Sequence, residues 1–330
     1  MIILVTGVAG FIGHAVASRL LDNGHAVIGV DNLNPYYSPV LKRMRLARLT
    51  VHPNFEFHQL DLADPAGLEN IPGKDDVERV VHFAAQAGVR YSMEKPFPYV
   101  ASNIVGHLTV LEFCRNHPKH PELIYASSSS VYGEMSGSAQ SEQNPVGAPA
   151  SLYAVTKQAD ELMSQAYTAL YGLNQIGLRL FTVYGPWGRP DMAYWLFTAS
   201  VLRGEPINLF NRGEMARDLT YIKDVETAIC RLIESDAWAD SKEPSHDVYN
   251  LGSGTSHSLR DLVGAVERAT DRQAQLRLLP LQKGDVLATC ADTAKFTSVF
   301  GEIPHTPLEN GIATFVDWYK SLKDPQVLEE

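Results

Sequence analysis

The stretch Ile2-Ile3-Leu4-Val5-Thr6-Gly7-Val8-Ala9-Gly10-Phe11-Ile12-Gly13 decides the fold. Its first four residues are a continuous apolar run, which suits a parallel strand buried on both faces. Glycines follow at every third position, Gly7, Gly10 and Gly13. Gly7 permits a tight turn, Gly10 lets backbone approach a pyrophosphate, and Gly13 lets helix and sheet pack closely. The spacing predicts a helix to about Asn23, with Gly24 as its C′ residue. Ala26-Val27-Ile28-Gly29-Val30 reads as the next strand, with Asp31 at its end. Strand, glycine turn, helix, strand and acid in that order form a dinucleotide fingerprint. Asp31 would accept hydrogen bonds from the adenosine ribose and repel a 2′-phosphate, which favours NAD over NADP. Lys42, Arg43 and Arg45, a little downstream, are the residues that count against this choice.

The alternation continues. Phe55-Glu56-Phe57 leads to Asp61-Leu62, a strand end suited to the adenine edge. Arg79-Val80-Val81-His82-Phe83 leads to Ala84-Ala85-Gln86, where small residues would admit a cofactor to the backbone. Tyr99 to about Asn116 reads as a long helix containing Asn103. Glu122-Leu123-Ile124-Tyr125-Ala126 then delivers Ser127-Ser128-Ser129-Ser130-Val131-Tyr132-Gly133 at its carboxyl end. Ligands of doubly wound sheets bind outside the carboxyl ends of the strands.

Tyr153 and Lys157 stand four residues apart in Ser151–Gly172, a stretch with helical apolar spacing. Residues so spaced share a helix face. The ammonium favours the phenolate, so the tyrosine pKa is expected to fall towards neutrality. A hydroxyl of the serine run could pass protons to it. The set is a general base for removing a proton from an alcohol. Gln175–Phe181 reads as another strand, and Thr182 at its end faces the same edge. In the loop to Met192, Arg189 offers a planar fork for a carboxylate. Each feature alone has a plain alternative: a helix-surface Tyr-x-x-x-Lys, a polar loop, a solvated arginine. His82 reads as a strand residue and not a catalyst. Thr220–Ile233 and Leu308–Lys323 read as helices, and Asp247–Leu251 as a strand.

At 330 residues, one large or two intimate domains are expected. A formal net charge of -10 argues against a nucleic-acid binder and against adhesion to anionic membranes. Three widely spaced cysteines, Cys114, Cys230 and Cys290, read as reduced thiols of a cytosolic protein, with no metal-ligand spacing. No apolar run reaches the roughly 18 residues of a membrane span, and an opening strand is expected to leave no room for a signal peptide. No metal site is expected.

Gly7-x-x-Gly10-x-x-Gly13, the Ser128/Tyr153/Lys157 set and the chain length resemble the extended short-chain dehydrogenase/reductase family over nearly the whole chain. The likeness narrows to nucleotide-sugar epimerases, and most to UDP-glucuronate 4-epimerases. It rests on Asp31-Asn32-Leu33-Asn34-Pro35-Tyr36-Tyr37, on Ala84 to Ser92, on Ser127 to Gly133, and on Thr182 to Met192. The resemblance implies an α/β fold: a doubly wound parallel (Rossmann) sheet with a smaller, interleaved α/β substrate-binding domain. Residues 1–182 with about 219–252 would bind NAD, and about 183–218 with 253–330 the nucleotide sugar. Tyr153 would be the base, Lys157 would bind the nicotinamide ribose, and Ser128 takes the place of the family's catalytic Ser/Thr. Tightly bound, recycled NAD would be met by Gly7, Gly10, Phe11, Ile12, Gly13, Asp31, Asn32, Asn34, Asp61, Leu62, Ala84, Ala85, Gln86 and Asn103, together with Tyr153 and Lys157. The substrate would be met by Gly88, Val89, Arg90, Ser128, Ser129, Ser130, Thr182, Arg189, Phe210, Arg217 and Asp285. Among these, Arg189, Thr182, Ser129 and Ser130 would hold the glucuronate carboxylate, Arg217 the diphosphate and Asp285 the nucleotide ribose.

The serine window also separates sister reactions. A 4,6-dehydratase carries Asp-Glu where this chain has Ser129-Ser130, and a UDP-glucuronate decarboxylase typically has Glu at the place of Ser130. A UDP-glucose 4-epimerase is excluded less firmly. The expected reaction is therefore C4 epimerisation of UDP-glucuronate to UDP-galacturonate through a 4-keto intermediate. The alternatives are UDP-glucose epimerisation, decarboxylation, or a catalytically silent NAD-binding regulator. A cytoplasmic homodimer, joined through the helices near Tyr99–Asn116 and Ser151–Gly172, is implied.

Overall fold

A computed structural model of the chain describes residues 1–133, 139–235, 243–281 and 286–329. The opening run forms β1 (Ile2–Thr6), followed by α1 (Phe11–Asp22), β2 (Ala26–Asp31), α2 (Pro39–Leu49) and β3 (Phe55–Gln59). β4 (Arg79–His82) leads to the short helices α3 (Val89–Glu94) and α4 (Phe97–Tyr99), then α5 (Gly106–Asn116). β5 (Glu122–Ser128), α6 (Leu152–Tyr171) and β6 (Gln175–Leu180) complete the first half. The second half runs β7 (Thr182–Tyr184), α7 (Ala193–Arg203), β8 (Ile207–Phe210), β9 (Ala216–Tyr221), α8 (Ile222–Glu234) and β10 (His246–Leu251). It closes with β11 (Ser256–Ser258), α9 (Leu259–Thr270), β12 (Leu276–Leu279), α10 (Ala294–Phe300) and α11 (Leu308–Ser321).

Seven strands form one sheet in the order β10-β6-β5-β4-β1-β2-β3, and every pairing is parallel. The strand order reverses between β1 and β4, which opens a crevice at their carboxyl ends. The glycine turn stands there: a Cβ on Gly7 would lie 2.6 Å from the Ala84 nitrogen beyond β4. β5 ends in the same row and presents the serines. Two small sheets, β11-β9-β7 and β12-β8, face this edge from the second half.

α1 ends as its sequence implies. Gly24 has φ +85 and donates to the Leu21 carbonyl. The helix expected from Tyr99 begins at α4 and passes through a π-helical run, Val100–Val105, before α5. The extra residue in that turn points the buried Asn103 at Gln86. The helix expected from Thr220 begins at Ile222 instead. Thr220 is β-branched and fully buried, and it pairs with Val183 of β7 as part of β9.

α6 is inverted relative to an ordinary amphipathic helix. Ser151 caps it, its hydroxyl accepting from the Ala154 N–H at 3.1 Å, and Gly172 ends it at φ +73. Its buried residues are Ala154, Thr156, Lys157, Asp160, Glu161 and Ser164, whereas Val155, Leu162 and Leu170 are exposed. Among the described residues no helix is long and apolar enough to cross a membrane, and no His/Cys/Asp/Glu group could hold a metal ion.

Candidate active site

Two cavities open along the carboxyl edge of the sheet, of about 340 and about 640 Å³. The smaller is lined by Gly7, Gly10, Phe11, Ile12 and Gly13, by Ala85, by Ser128, Ser129 and Ser130, and by Tyr153 and Lys157. The larger is lined by Arg90, Phe210 and Arg217. Gly88, Val89, Thr182, Arg189 and Met192 line both and form the passage between them. A narrow recess beyond Gly7 and Gly10 is lined by Asp31, Asn32, Asn34, Asp61, Leu62 and Ala84. Asp285 lies outside the described residues. Gln86 and Asn103 stand behind the cleft wall. The Asn103 side chain accepts from the Gln86 N–H at 2.7 Å and donates to the Gln86 carbonyl at 3.2 Å and to Thr156 Oγ1 at 2.9 Å.

The glycine turn fits a dinucleotide such as NAD. Gly10 caps α1 without a side-chain hydrogen bond, and the first turn holds no acidic residue. Its N–H groups and dipole are thus available to an anion. A Cβ on Gly10 would stand 2.9 Å, and one on Gly13 2.2 Å, from the Gly7 carbonyl oxygen. Asp31 is buried and accepts from the Ala9 N–H at 3.0 Å and the Leu33 N–H at 2.8 Å.

Arg45 does something other than meet a ribose phosphate. Its fully buried guanidinium donates to the Ala9 carbonyl at 2.9 Å and to the Tyr37 hydroxyl at 2.7 Å. It also donates to the Trp187 carbonyl, at 3.0 and 2.6 Å, and to the Gly188 carbonyl at 2.8 Å. It therefore ties the glycine turn to the Arg189 loop. Arg43 is exposed, and Lys42 packs 4.9 Å over the Tyr37 ring.

Ser128 ends β5 and caps the short turn Ser129–Tyr132. Its Oγ accepts from the Ser130 N–H at 3.1 Å and donates to Ser130 Oγ at 3.0 Å. Lys157 Nζ donates to the Ala126 carbonyl at 2.8 Å and to Asp160 Oδ2 at 3.0 Å. Burial works against the Lys157 charge, but Asp160 and the nearby Tyr153 and Glu161 outweigh it and raise its pKa. Burial pushes the Asp160 carboxyl up to about 6, against the pull of Lys157. Beneath the serines Glu161 accepts from Ser127 Oγ at 2.5 Å and from Arg179 at 2.9 and 2.8 Å. Asp160 and Glu161 fall three and four residues after Lys157, on the same helix face. That spacing was the available signal for both. His82 is buried with Nδ1 2.7 Å from Thr6 Oγ1, and burial with the Lys157 charge lowers its pKa to about 3.

Arg189 is paired within the chain. Its Nε donates to Asp191 Oδ1 at 2.9 Å and its Nη2 to Asp191 Oδ2 at 2.7 Å. The Tyr36 hydroxyl donates to the same Oδ2 at 2.9 Å. Burial works against the Asp191 charge, but Arg189 and Tyr36 outweigh it and hold the carboxyl below its ordinary pKa. The Arg90 guanidinium lies 4.9 Å over the Phe210 ring, and Arg217 donates to the Ala216 carbonyl at 2.8 Å.

Residues 3–252 match the NAD dependent epimerase/dehydratase family. The chain belongs to this family. It is 47% identical over 329 residues to an uncharacterized 37.6 kDa protein of Escherichia coli O111:H-, covering 96% of this chain and 98% of that one. It is 40% identical over 329 residues to a probable UDP-glucuronate 4-epimerase of Rhizobium meliloti, covering 96% of each. Its fold matches UDP-glucuronic acid 4-epimerase from Bacillus cereus in complex with UDP-glucuronic acid and NAD. That match has a TM-score of 0.88 and 33% identity over 97% of this chain and 99% of that one. NAD is the cofactor of the family, and the glycine turn, the α1 terminus and Asp31 suit it.

Proposed function

We propose that this chain interconverts UDP-glucuronate and UDP-galacturonate by inverting C4 of the sugar. One observation carries the reading: the cavity holding Ser128, Tyr153 and Lys157 opens past Thr182 and Arg189 into the larger one. A sugar lying across that passage can present its C4 hydroxyl to Tyr153 and its C5 carboxylate to Arg189 together. Bound NAD supplies the group that takes the C4 hydride and returns it. Tyr153 takes the O4 proton and gives it back after the sugar has turned its other face, with Ser128 hydrogen-bonded to the same oxygen. Lys157, fixed by the Ala126 carbonyl and Asp160, holds a positive charge beside the phenol. Gly88, Val89, Arg90, Phe210, Arg217 and Asp285 take the UDP end. The 4-keto sugar is a β-keto acid. Arg189, Thr182, Ser129 and Ser130 hold its carboxylate so that the C–C bond to carbon dioxide stays out of line with the carbonyl π system.

The test is incubation of the purified protein with UDP-glucuronate, without added reductant, and separation of the sugar nucleotides. UDP-galacturonate as the main product is expected. UDP-glucuronate left intact while UDP-glucose becomes UDP-galactose would refute the carboxylate assignment. The Asp191 carboxylate on the Arg189 fork is the observation that favours such a neutral-sugar reading.

We infer a cytoplasmic homodimer. The outward apolar residues Val155, Leu162 and Leu170 of α6, with Met93, Phe97, Val100 and Leu108 before and along α5, support a buried face between copies. Cys114 and Cys230 are buried free thiols, which suits a reducing compartment. We take residues 1–182 with 219–252 as the NAD lobe and 183–218 with 253–330 as the sugar-nucleotide lobe.

A further inference from the structure

A guanidinium has five N–H donors and two edges on which a carboxylate can be held bidentately. In Arg189 the Nε/Nη2 edge is taken by Asp191. Nη1 makes no hydrogen bond among the described residues, and Nη2 has a second proton directed at the Met192 sulfur, 3.6 Å away, which is a weak acceptor. The Nη1/Nη2 edge therefore remains for a second carboxylate. The Arg189 side chain is 21% exposed and that of Asp191 33%, so the pair is reachable from the cleft.

Asp191 is itself fixed from the cofactor side. The Tyr36 hydroxyl holds its Oδ2, and Tyr36 ends a series of side-chain turns. The Tyr36 N–H donates to Asn34 Oδ1 at 2.7 Å, the Asn34 N–H to Asn32 Oδ1 at 3.0 Å, and Asn32 Nδ2 to Asp61 at 3.0 Å. Gly88 leaves the space that Tyr36 fills: a Cβ there would stand 2.3 Å from the tyrosine oxygen.

We propose that Asp191 is a positioning residue for substrate selection: with Tyr36 it occupies one edge of Arg189 and aims the other at the sugar carboxylate. The proposal rests on the reading of Arg189 as the carboxylate-binding residue. An unaided arginine on a loop samples many rotamers, and its fork meets a substrate carboxylate in few of them. A carboxylate held on both oxygens removes that freedom before the substrate arrives. It also lowers the net charge at the passage. Release of Arg189 from Asp191 therefore has two opposed effects on binding, loss of aim and gain of charge, and aim is the one assigned here.

The experiment measures KM and kcat for UDP-glucuronate, the fraction of product lost to a UDP-pentose, and competitive inhibition by UDP. UDP lacks the sugar and reports the rest of the site. Asp191→Ala is expected to raise KM by about tenfold, the effect of about 1.4 kcal/mol. It should raise the pentose fraction and leave inhibition by UDP within about twofold of wild type, since the nucleotide contacts are untouched. Asp191→Asn, which keeps the shape and one good acceptor, should fall between wild type and Asp191→Ala, and Tyr36→Phe should follow it in direction. An unchanged KM in both Asp191 variants would overturn the proposal, because aim would then not outweigh charge, and so would a lower KM, because Asp191 would then compete with the substrate. So would a loss of UDP inhibition in step with KM, the mark of a merely structural residue. Arg189→Ala separates the two levels. If it leaves KM for UDP-glucuronate unchanged, the carboxylate reading itself fails. If it raises KM and the Asp191 variants do not, only the positioning role fails.

Discussion

Arg45→Met removes the guanidinium and keeps most of the apolar stem. Three carbonyls, of Ala9, Trp187 and Gly188, then lose their donor. A buried acceptor left unsatisfied costs about 1–3 kcal/mol, so the three together bound the loss at about 3–9 kcal/mol. Two effects pull towards the lower end. Water can reach carbonyls near the cleft, and Trp187 is held at φ +65, a conformation that stores about 1–3 kcal/mol in a residue other than glycine. Freed of Arg45, that loop relaxes and regains part of the loss. About 3–5 kcal/mol of destabilisation is expected, against a total of roughly 5–15 kcal/mol for a folded domain. Urea unfolding measures it, as a lower midpoint at unchanged slope. Because the relaxing loop carries Arg189, KM for UDP-glucuronate should rise more than the dissociation constant for NAD. An Arg45→Met protein with a wild-type urea midpoint and wild-type KM would refute the reasoning. The carbonyls would then have other partners, and Arg45 would tie nothing together.

Two further outcomes are expected. His14 and His82 are buried, each with its pKa lowered to about 3 from 6.5, chiefly by burial. The unfolded chain therefore binds protons that the folded one refuses. The stability these residues contribute is present above pH 6.5 and falls as pH drops towards 3, by about 1.4 kcal/mol per unit for each. Urea midpoints across that window should show it, and His82→Gln should flatten the slope by one proton; an unchanged slope would contradict the burial argument. For the proposed dimer, Leu162→Asp with Leu170→Asp should give monomers by sedimentation, and a wild-type protein that already sediments as a monomer would remove that assignment.

The fold was legible because its decisive signals are local. A buried strand, a glycine turn and a second strand ending in Asp31 lie within one short segment, and the topology follows from repetition of that unit. Thr220 was misplaced because a β-branched residue beside a helical pattern reads as its start, whereas pairing with Val183 across β9 and β7 made it strand. The cleft residues on strand ends were legible for the same local reason. Arg45 was not: its sequence neighbours are basic, and only tertiary packing turns it from solvent to the carbonyls of Trp187 and Gly188. Arg189 reads from sequence as a fork for a carboxylate, but Asp191, two residues on, was not legible as the carboxylate it holds within the chain. Nothing in a loop sequence fixes the direction of two long side chains. Glu161 could have been found from its spacing after Lys157, since a buried polar helix face must be answered by partners such as Ser127 and Arg179.

The position of β10 in the sheet bears on how the chain assembles. β6 has every residue buried and lies between β5 and β10, yet β10 is made only after α7, β8, β9 and α8 have emerged. Until then the free edge of β6 is a row of unpaired N–H and C=O groups beneath an apolar surface, a template for wrong pairing. Contacts between segments so distant in sequence form slowly. The first half of the chain thus carries the glycine turn, Tyr153 and Lys157 but is unfinished as a folded object. A fragment ending near Thr182 is expected to self-associate through β6, and the nascent protein depends on its own second half, or on a chaperone, to cover that edge.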